Sequence, residues 1–439
     1  MSDTEPGRLG WLVVAMLFTF MLLNFASKVV LGLAAVPIMR EMHLTHEQFG
    51  TLSASFFYLF SLSCLVVGFM VNRIRTTLVI GAMSFLWAIC QLLAIGNIGY
   101  GFLLFTRVAL GAGEGPAFPV GLHAVYKWFP SNRRTLPAAI ISQGSSVGVV
   151  LALPLLNILV VNLSWHWAFG VIGLLTLVWT AAWLLIGREG PLEDRQAEGA
   201  QGLQRVPYRR LLRNPTLLAA WLCGFGGYWG VALLVSWFTP YIVEGLGFSQ
   251  RDAGFMSTAP WATSIFIAIF CSMISERLVK RGVSRRLALG VFGGGMVAVG
   301  GAALIVAPFI DAPLLAFVLI VLGLSLPSVI YAMQPAIAAE LVPVSQRGAI
   351  LAIGTAIWST SGMIAPVVMG KLIDIGHASA QGYEQGFVVA GVIALVAGTV
   401  GAFFINPEKA AAQLKNRMND NIESGRPRVV PLVSGGRNA

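Results

Sequence analysis

Three ionisable side chains sit well inside long apolar runs of this chain: Lys28, Arg107 and Glu114. A charge at the centre of a bilayer costs about 2.5–3.5 kcal/mol even on lenient insertion scales. Such residues therefore face a polar cavity or one another, and they mark a function by default. Arg107 and Glu114 stand on one predicted helix. Two turns put them on one face with about 10 Å of axial separation, too far for a good direct pair. Lys28 belongs to another helix. One carboxylate against two cations leaves a positive surplus, and an incoming anion is its simplest partner. The planar fork of Arg107 matches a carboxylate bidentately, and Lys28 adds a point charge. Glu114 can bind and release a proton, and substrate neutralising the two cations would favour its protonated form. Two plainer readings stand beside this one. Lys28 could snorkel outward past a helix end near Pro37, and Arg107 and Glu114 could form a structural ion network.

Other polar residues in apolar runs are candidates for the wall of a binding pocket. Gln143, Tyr331 and Gln334 lead, because buried polar groups need partners in hydrocarbon; Ser359 joins them, with Asn24, Tyr58, Ser145, Tyr228, Trp237, Trp261 and Trp358 as weaker candidates. Ala112-Gly-Glu-Gly115 has the look of a phosphate loop, but no strand precedes it, and its glycines suit close helix packing. Cys64, Cys90, Cys223 and Cys271 all lie in apolar runs and read as small hydrophobes. His43 and His46 are neighbours without further ligands, so no metal site is expected. No nucleophile–base spacing appears, so an enzyme is not expected either.

The elements that must position these residues follow from composition. Of 439 residues 56% are hydrophobic and only 11% charged, against about 25% charged in soluble domains. Single soluble cores stop growing near about 250–300 residues, so the apolar excess faces lipid. A span needs about 20 apolar residues. Twelve such runs can be read, at 11–36, 48–71, 77–97, 100–126, 136–161, 165–187, 215–243, 253–275, 286–307, 312–338, 347–372 and 384–405. The first is too long for a signal-peptide core and no cleavage site follows it. The fold expected is an all-α integral membrane protein with twelve transmembrane helices in two pseudo-symmetric six-helix bundles. Residues 1–10 form an N-terminal extension, 11–187 the first bundle, 188–214 a polar linker, 215–406 the second bundle and 407–439 a polar tail expected to be disordered. Basic residues crowd the even-numbered turns and the tails, while the opposite turns hold only Arg40, Arg251 and Lys371. The positive-inside rule then puts both termini in the cytoplasm. The net charge of +10 is thus a topology signal, and nucleic acid is not an expected partner.

The halves repeat. Gly68-Phe-Met-Val-Asn72-Arg73 follows the second run, and Ser272-Met-Ile-Ser-Glu276-Arg277 follows the eighth. Pro130 precedes Arg134 by the same interval as Pro343 precedes Arg347. Two parallel repeats imply a substrate site at their interface near mid-membrane. These turns, with Thr106–Pro116, Lys127–Pro130, Ser164–Phe169, Ser236–Tyr241 and Ser275–Gly282, resemble the anion:cation symporter family of the major facilitator superfamily, which includes bacterial sugar-acid transporters. The resemblance implies the major facilitator fold and uptake of an organic or sugar-acid anion with H⁺ by alternating access, at the inner membrane. It implies a small organic anion and membrane lipid as partners, a monomer, and no cofactor beyond the coupling ion. The family's membrane Arg and Glu match Arg107 and Glu114. Its Asp-Arg pair in helix one is Ser27-Lys28 here, its helix-two Tyr is Phe60, and an Asn of helix eleven is Ser359. Gly68, Asn72, Arg73, Glu276 and Arg277 match the turn motif that pins the halves in one state, with Asn72 in place of an Asp. The alternatives are an exporter of drugs or metabolites, whose pocket would be apolar around a lone acid, and a membrane sensor that has lost transport.

Overall fold

The computed structural model describes residues 8–70, 74–96, 98–130, 133–192, 206–377 and 379–413. The first bundle contains α1 (Arg8–Leu33), a short α2 (Ala35–Met42), α3 (His46–Met70), α4 (Thr76–Leu92), α5 (Tyr100–Glu114), α6 (Ala117–Tyr126), α7 (Thr135–Asn162) and α8 (Trp165–Ile186). The second contains α9 (Pro215–Ser236), α10 (Gln250–Met256), α11 (Ala259–Lys280), α12 (Phe292–Val306), α13 (Pro313–Ser325), α14 (Val329–Leu341), α15 (Val344–Ser359), α16 (Ser361–Ile375) and α17 (Ala380–Phe404). Among the described residues, 11 helical segments are long and apolar enough to cross a membrane. The remaining expected span is the one that carries Arg107 and Glu114. It is built as α5 and α6, of 15 and 10 residues, parted at Gly115 and Pro116. Proline cannot continue the ladder, and membrane helices tolerate such breaks where protein lines them.

The two bundles repeat one packing scheme. In the first, α1 packs on α7, α3 on α5 and α4 on α8; in the second, α9 packs on α15 and α16, α11 on α13 and α14, and α12 on α17. The Pro–Arg turns repeat in atomic detail. Arg134 donates from Nε to the Phe129 carbonyl at 2.8 Å and from Nη2 to the Tyr126 carbonyl at 2.9 Å. Arg347 does the same to Val342 at 3.0 Å and Ala339 at 2.8 Å. Each arginine satisfies carbonyls at the end of a helix, where a cation is also favoured by the helix dipole. The linker is docked where it is described, since Gln346 Oε1 accepts from the Val206 N–H at 2.9 Å. The tail departs from the expected disorder at its start: residues 407–413 are helical, and Glu408 accepts the Arg285 N–H at 2.7 Å. Residues 414–439 lie outside the described residues.

The bundles meet tightly on the side away from the termini. There a single apolar core joins both bundles, running through Val30, Phe49, Leu153, Trp237, Tyr383 and Phe387. Toward the terminal side the core divides in two. One part centres on Phe20, Trp87 and Trp183 of the first bundle, the other on Trp221, Ile330 and Ile337 of the second. Glycine permits close approach of the two bundles. A Cβ on Gly50 would run into the Pro366 carbonyl, and one on Gly370 into the His46 carbonyl, so α3 and α16 touch backbone to backbone.

Polar clasps cover this joint. The Asp374 carboxylate accepts the N–H groups of His46 at 3.1 Å and Glu47 at 2.9 Å, capping the start of α3 from the other bundle. His46 Nδ1 lies 2.8 Å from Asp374 and Nε2 lies 3.2 Å from Glu244, so a ring protonated on both nitrogens satisfies both carboxylates. The Tyr383 hydroxyl donates to Glu244 at 2.6 Å. Burial pushes the Glu244 carboxyl up, but hydrogen bonds from His46 and Tyr383, and the charges of His46 and Arg40, outweigh it and hold it below the ordinary value. It therefore stays ionised through neutral pH, and its share of the clasp is lost only as pH falls below the ordinary carboxylate range. A second clasp joins Gln250 to Asn157 at 3.2 Å and to the Leu33 carbonyl at 3.0 Å.

Removing Asp374 strips α3 of its cap and His46 of a partner. In a background without the native cysteines, Asp374→Ala should raise maleimide labelling of a cysteine placed at Val235 in the purified protein by severalfold. Unchanged labelling would show that the clasp does not hold this side shut.

Candidate functional site between the bundles

The site begins with the way α3 and α5 approach. Gly111 and Gly115 lie where a Cβ would strike the carbonyls of Phe56 and Phe60. Small residues at this spacing let two membrane helices touch backbones. The close fit aims the next face of α5, with Arg107 and Glu114, inward past α3.

Glu114 ends against α1. Its carboxylate is fully buried and lies 3.6 Å from Lys28 Nζ, whose side chain is 12% exposed. Asn24 accepts from the same ammonium at 2.8 Å, and the ring of Phe25 lies 4.2 Å beneath it. Lys28 therefore points into the protein, which excludes the snorkelling alternative. The Ser27 hydroxyl sits between two acceptors, the Glu114 carboxylate and the Asn24 carbonyl at 2.8 Å. It owns one proton. When Glu114 is ionised, Ser27 must donate to it. When Glu114 is protonated, it can donate to Ser27, which then turns its own proton to Asn24. Both charge states of Glu114 can thus be hydrogen-bonded without moving a helix.

Arg107 is placed differently. It is 3% exposed, its guanidinium lies 5.3 Å from the Phe56 ring centroid, and no carboxylate among the described residues pairs with it. Its Nε and Nη1 are buried without a hydrogen-bond partner. The expected distance between Arg107 and Glu114 along α5 holds: Glu114 pairs with Lys28 of α1 instead. Arg107 and Lys28 both line a cavity of about 60 Å³ between the bundles, with Phe25 and Phe57 on one side and Tyr228, Trp261 and Pro366 on the other. A buried guanidinium with unused donors beside a cavity can receive an anion at no cost in broken protein contacts.

The other expected pocket residues fall elsewhere. Ser359 is buried and meets Ser61 at 2.6 Å, tying α15 to α3 across the bundles. Tyr331 donates to the Gly224 carbonyl at 3.1 Å and Gln334 to the Ala220 carbonyl at 3.2 Å, so both anchor α14 to α9. Tyr331, Trp358 and Tyr228 form an aromatic row, with centroids 5.2 and 4.7 Å apart, and only Tyr228 reaches the cavity. Gln143 is exposed. Of the turn-motif residues, Gly68 falls in the last turn of α3, and Asn72 and Arg73 lie outside the described residues. Glu276 pairs with Lys280 of its own helix at 3.8 Å, and Arg277 is exposed beside it. Ser27, Phe56 and Phe60 are parts of the site that the charged residues alone did not announce. The spacing of Asn24, Ser27 and Lys28 carried a signal, since residues three and four apart share a helix face.

Comparison with known proteins gives the same fold. The family model of the Major Facilitator Superfamily matches residues 16–327 and 291–434. The chain is 25% identical over 407 residues to the probable sulfoacetate transporter of Cupriavidus necator, covering 87% of this chain and 90% of that protein. It is 27% identical over 299 residues to the probable anion transporter 1, chloroplastic, of Oryza sativa subsp. japonica, covering 64% of this chain and 56% of that protein. The chain thus spans about half the length of the chloroplastic plant relatives it matches. A bacterial homologue of the human lysosomal transporter Spinster, in an inward-facing, unoccupied conformation, superposes with a TM-score of 0.74 at 19% identity, covering 93% of this chain and 98% of that one. With its paired six-helix bundles and a charged cavity between them, the chain belongs to the Major Facilitator Superfamily and is a multi-pass membrane protein.

Proposed function

We propose that the protein takes up a carboxylate-bearing organic anion, sugar acid or other, together with a proton, by alternating access. The two bundles, residues 11–187 and 215–406, are the moving bodies, and the protein acts as a monomer in the inner membrane with both termini in the cytoplasm. The observation that carries the reading is the buried Arg107 with two unused donors on the cavity wall. The basic turns support the orientation. On that orientation the terminal side is cytoplasmic, and the joined core closes the outer side.

Charge counting supplies the coupling. Empty, the site holds Arg107, Lys28 and ionised Glu114, a net charge of +1 (two cations less one anion). A bound monoanion alone brings it to zero; an anion with a proton on Glu114 restores it. The empty and fully loaded sites therefore carry the same charge through the apolar interior. Lys28 is the link, because it can face Glu114 or the anion. When it turns to the anion, Glu114 is left buried without its cation and takes a proton, which it donates to Ser27 while Ser27 turns its own proton to the Asn24 backbone carbonyl. When the proton leaves toward the cytoplasm, Lys28 returns to Glu114 and the anion loses a partner. The pairing of Lys28 with Glu114 and the closed outer side fit the state after release.

Two measurements test this. Arg107→Ala should weaken carboxylate binding to the purified protein by at least about a hundredfold, the value of two charge-assisted hydrogen bonds at about 1.5–3 kcal/mol each, and Arg107→Lys should restore only part of it. Binding unaltered in Arg107→Ala contradicts the assignment. In proteoliposomes, Glu114→Gln should abolish accumulation driven by a pH gradient yet keep exchange of substrate across the membrane; uphill transport that survives the substitution excludes Glu114 as the proton carrier.

A further inference from the structure

The cavity that offers two cations offers little else that is polar. Phe25 and Trp261 face each other across the bundles at 6.4 Å, and Phe57 and Tyr228 do so at 5.8 Å. Val235 closes part of the remaining wall. The polar groups among these are the Ser53 and Ser236 hydroxyls, the Tyr228 hydroxyl and the Trp261 indole N–H. Ser53 has a buried hydroxyl without a partner, and Ser236 spends its proton on the Ala232 carbonyl at 2.7 Å.

The positions at which the resemblance has a tyrosine and an asparagine contribute no free donor. Phe60 presents a ring 5.3 Å from Lys28 Nζ. The Ser359 hydroxyl is engaged by Ser61 and by the Ala356 carbonyl at 3.2 Å.

A polyhydroxylated acid carries a hydroxyl on nearly every carbon. Each one that leaves water for a wall made mostly of rings and aliphatic groups loses hydrogen bonds, and the few polar groups there replace only some of them. An apolar body gains from the same transfer, and a planar one also gains from offset and edge-on contacts with the rings. The cavity, at about 60 Å³, is smaller than the ~150 Å³ that admits benzene, so a ring enters only as the bundles part, while a short alkyl chain needs less room.

We infer that the anion this transporter selects is a monocarboxylate with an apolar body, aromatic or short alkyl, and that polyhydroxylated sugar acids are poor substrates. The inference rests on the carboxylate reading above and narrows it. Arg107 and Lys28 hold the carboxylate end, and the paired rings from the two bundles enclose the rest.

The test is calorimetric titration of the purified full-length protein with benzoate, butyrate, D-galactonate and benzyl alcohol. Benzoate or butyrate should bind at least tenfold more tightly than D-galactonate, with no binding of benzyl alcohol. Val235→Asn, which adds an amide to the wall, should narrow that ratio. D-Galactonate binding as tightly as benzoate and butyrate, or more so, overturns the apolar-body inference and leaves the carboxylate reading standing. Binding of benzyl alcohol equal to that of benzoate, or no binding by any carboxylate, overturns both. Loss of benzoate binding in Arg107→Ala supports the carboxylate end independently of the body.

Discussion

A lysine ammonium and a glutamate carboxylate meet at 3.6 Å inside the first bundle, and the rest of the site is arranged around that contact. Neither charge could sit alone there, since a single partner removed from such a pair strands the other at a cost of about 3–5 kcal/mol. The pair is held by α1 and α5, two helices of the first bundle, so the proposed motion between bundles would leave it intact. What can break it is a competing charge at the cavity, where Lys28 also faces. Arg107 supplies the reason for such a charge to come. It is buried, and no carboxylate among the described residues pairs with it.

The helices serve this arrangement in identifiable ways. Gly111 and Gly115 bring α5 against α3 and so fix where Arg107 and Glu114 project. The break at Gly115 and Pro116 lets the second half of that span turn away as α6. On the side away from the termini, Gly50 and Gly370 permit the backbone contact of α3 with α16, and Asp374, His46 and Glu244 clasp it. On the opposite side, among the described residues, the fully buried cores of the two bundles are separate. One side is therefore closed by a set of contacts that the proposed alternating access would have to undo together.

Much of this was legible in the chain. The twelve apolar runs, the repeated Pro–Arg turns and the three intramembrane charges all follow from how hydrocarbon treats polar groups, and each has its counterpart in the structure. The separation of Arg107 from Glu114 followed from helix geometry alone. The identity of Glu114's partner did not, because it depends on how α1 is rotated against α5, which periodicity in an almost uniformly apolar helix cannot fix. In the sequence Tyr331 and Gln334 have the look of pocket residues because buried polar groups need partners, and Ser359 stands beside them as a further polar candidate. They do have partners, but these are backbone carbonyls of α9 and α15 and, for Ser359, the serine of α3. Composition says that a partner exists; only packing says which. The short helix at 407–413 was missed for a related reason, since its contact with Arg285 joins residues distant in the chain.

Coupled entry of anion and proton through the Lys28–Glu114 pair is the central prediction of this site. The direct measurement is proton uptake from weakly buffered solution when a binding carboxylate is added to the purified protein. About one proton taken up per anion bound, and none in Glu114→Gln, is the predicted result. Anion binding without proton uptake in the native protein, or the same uptake after Glu114 is replaced, would contradict it.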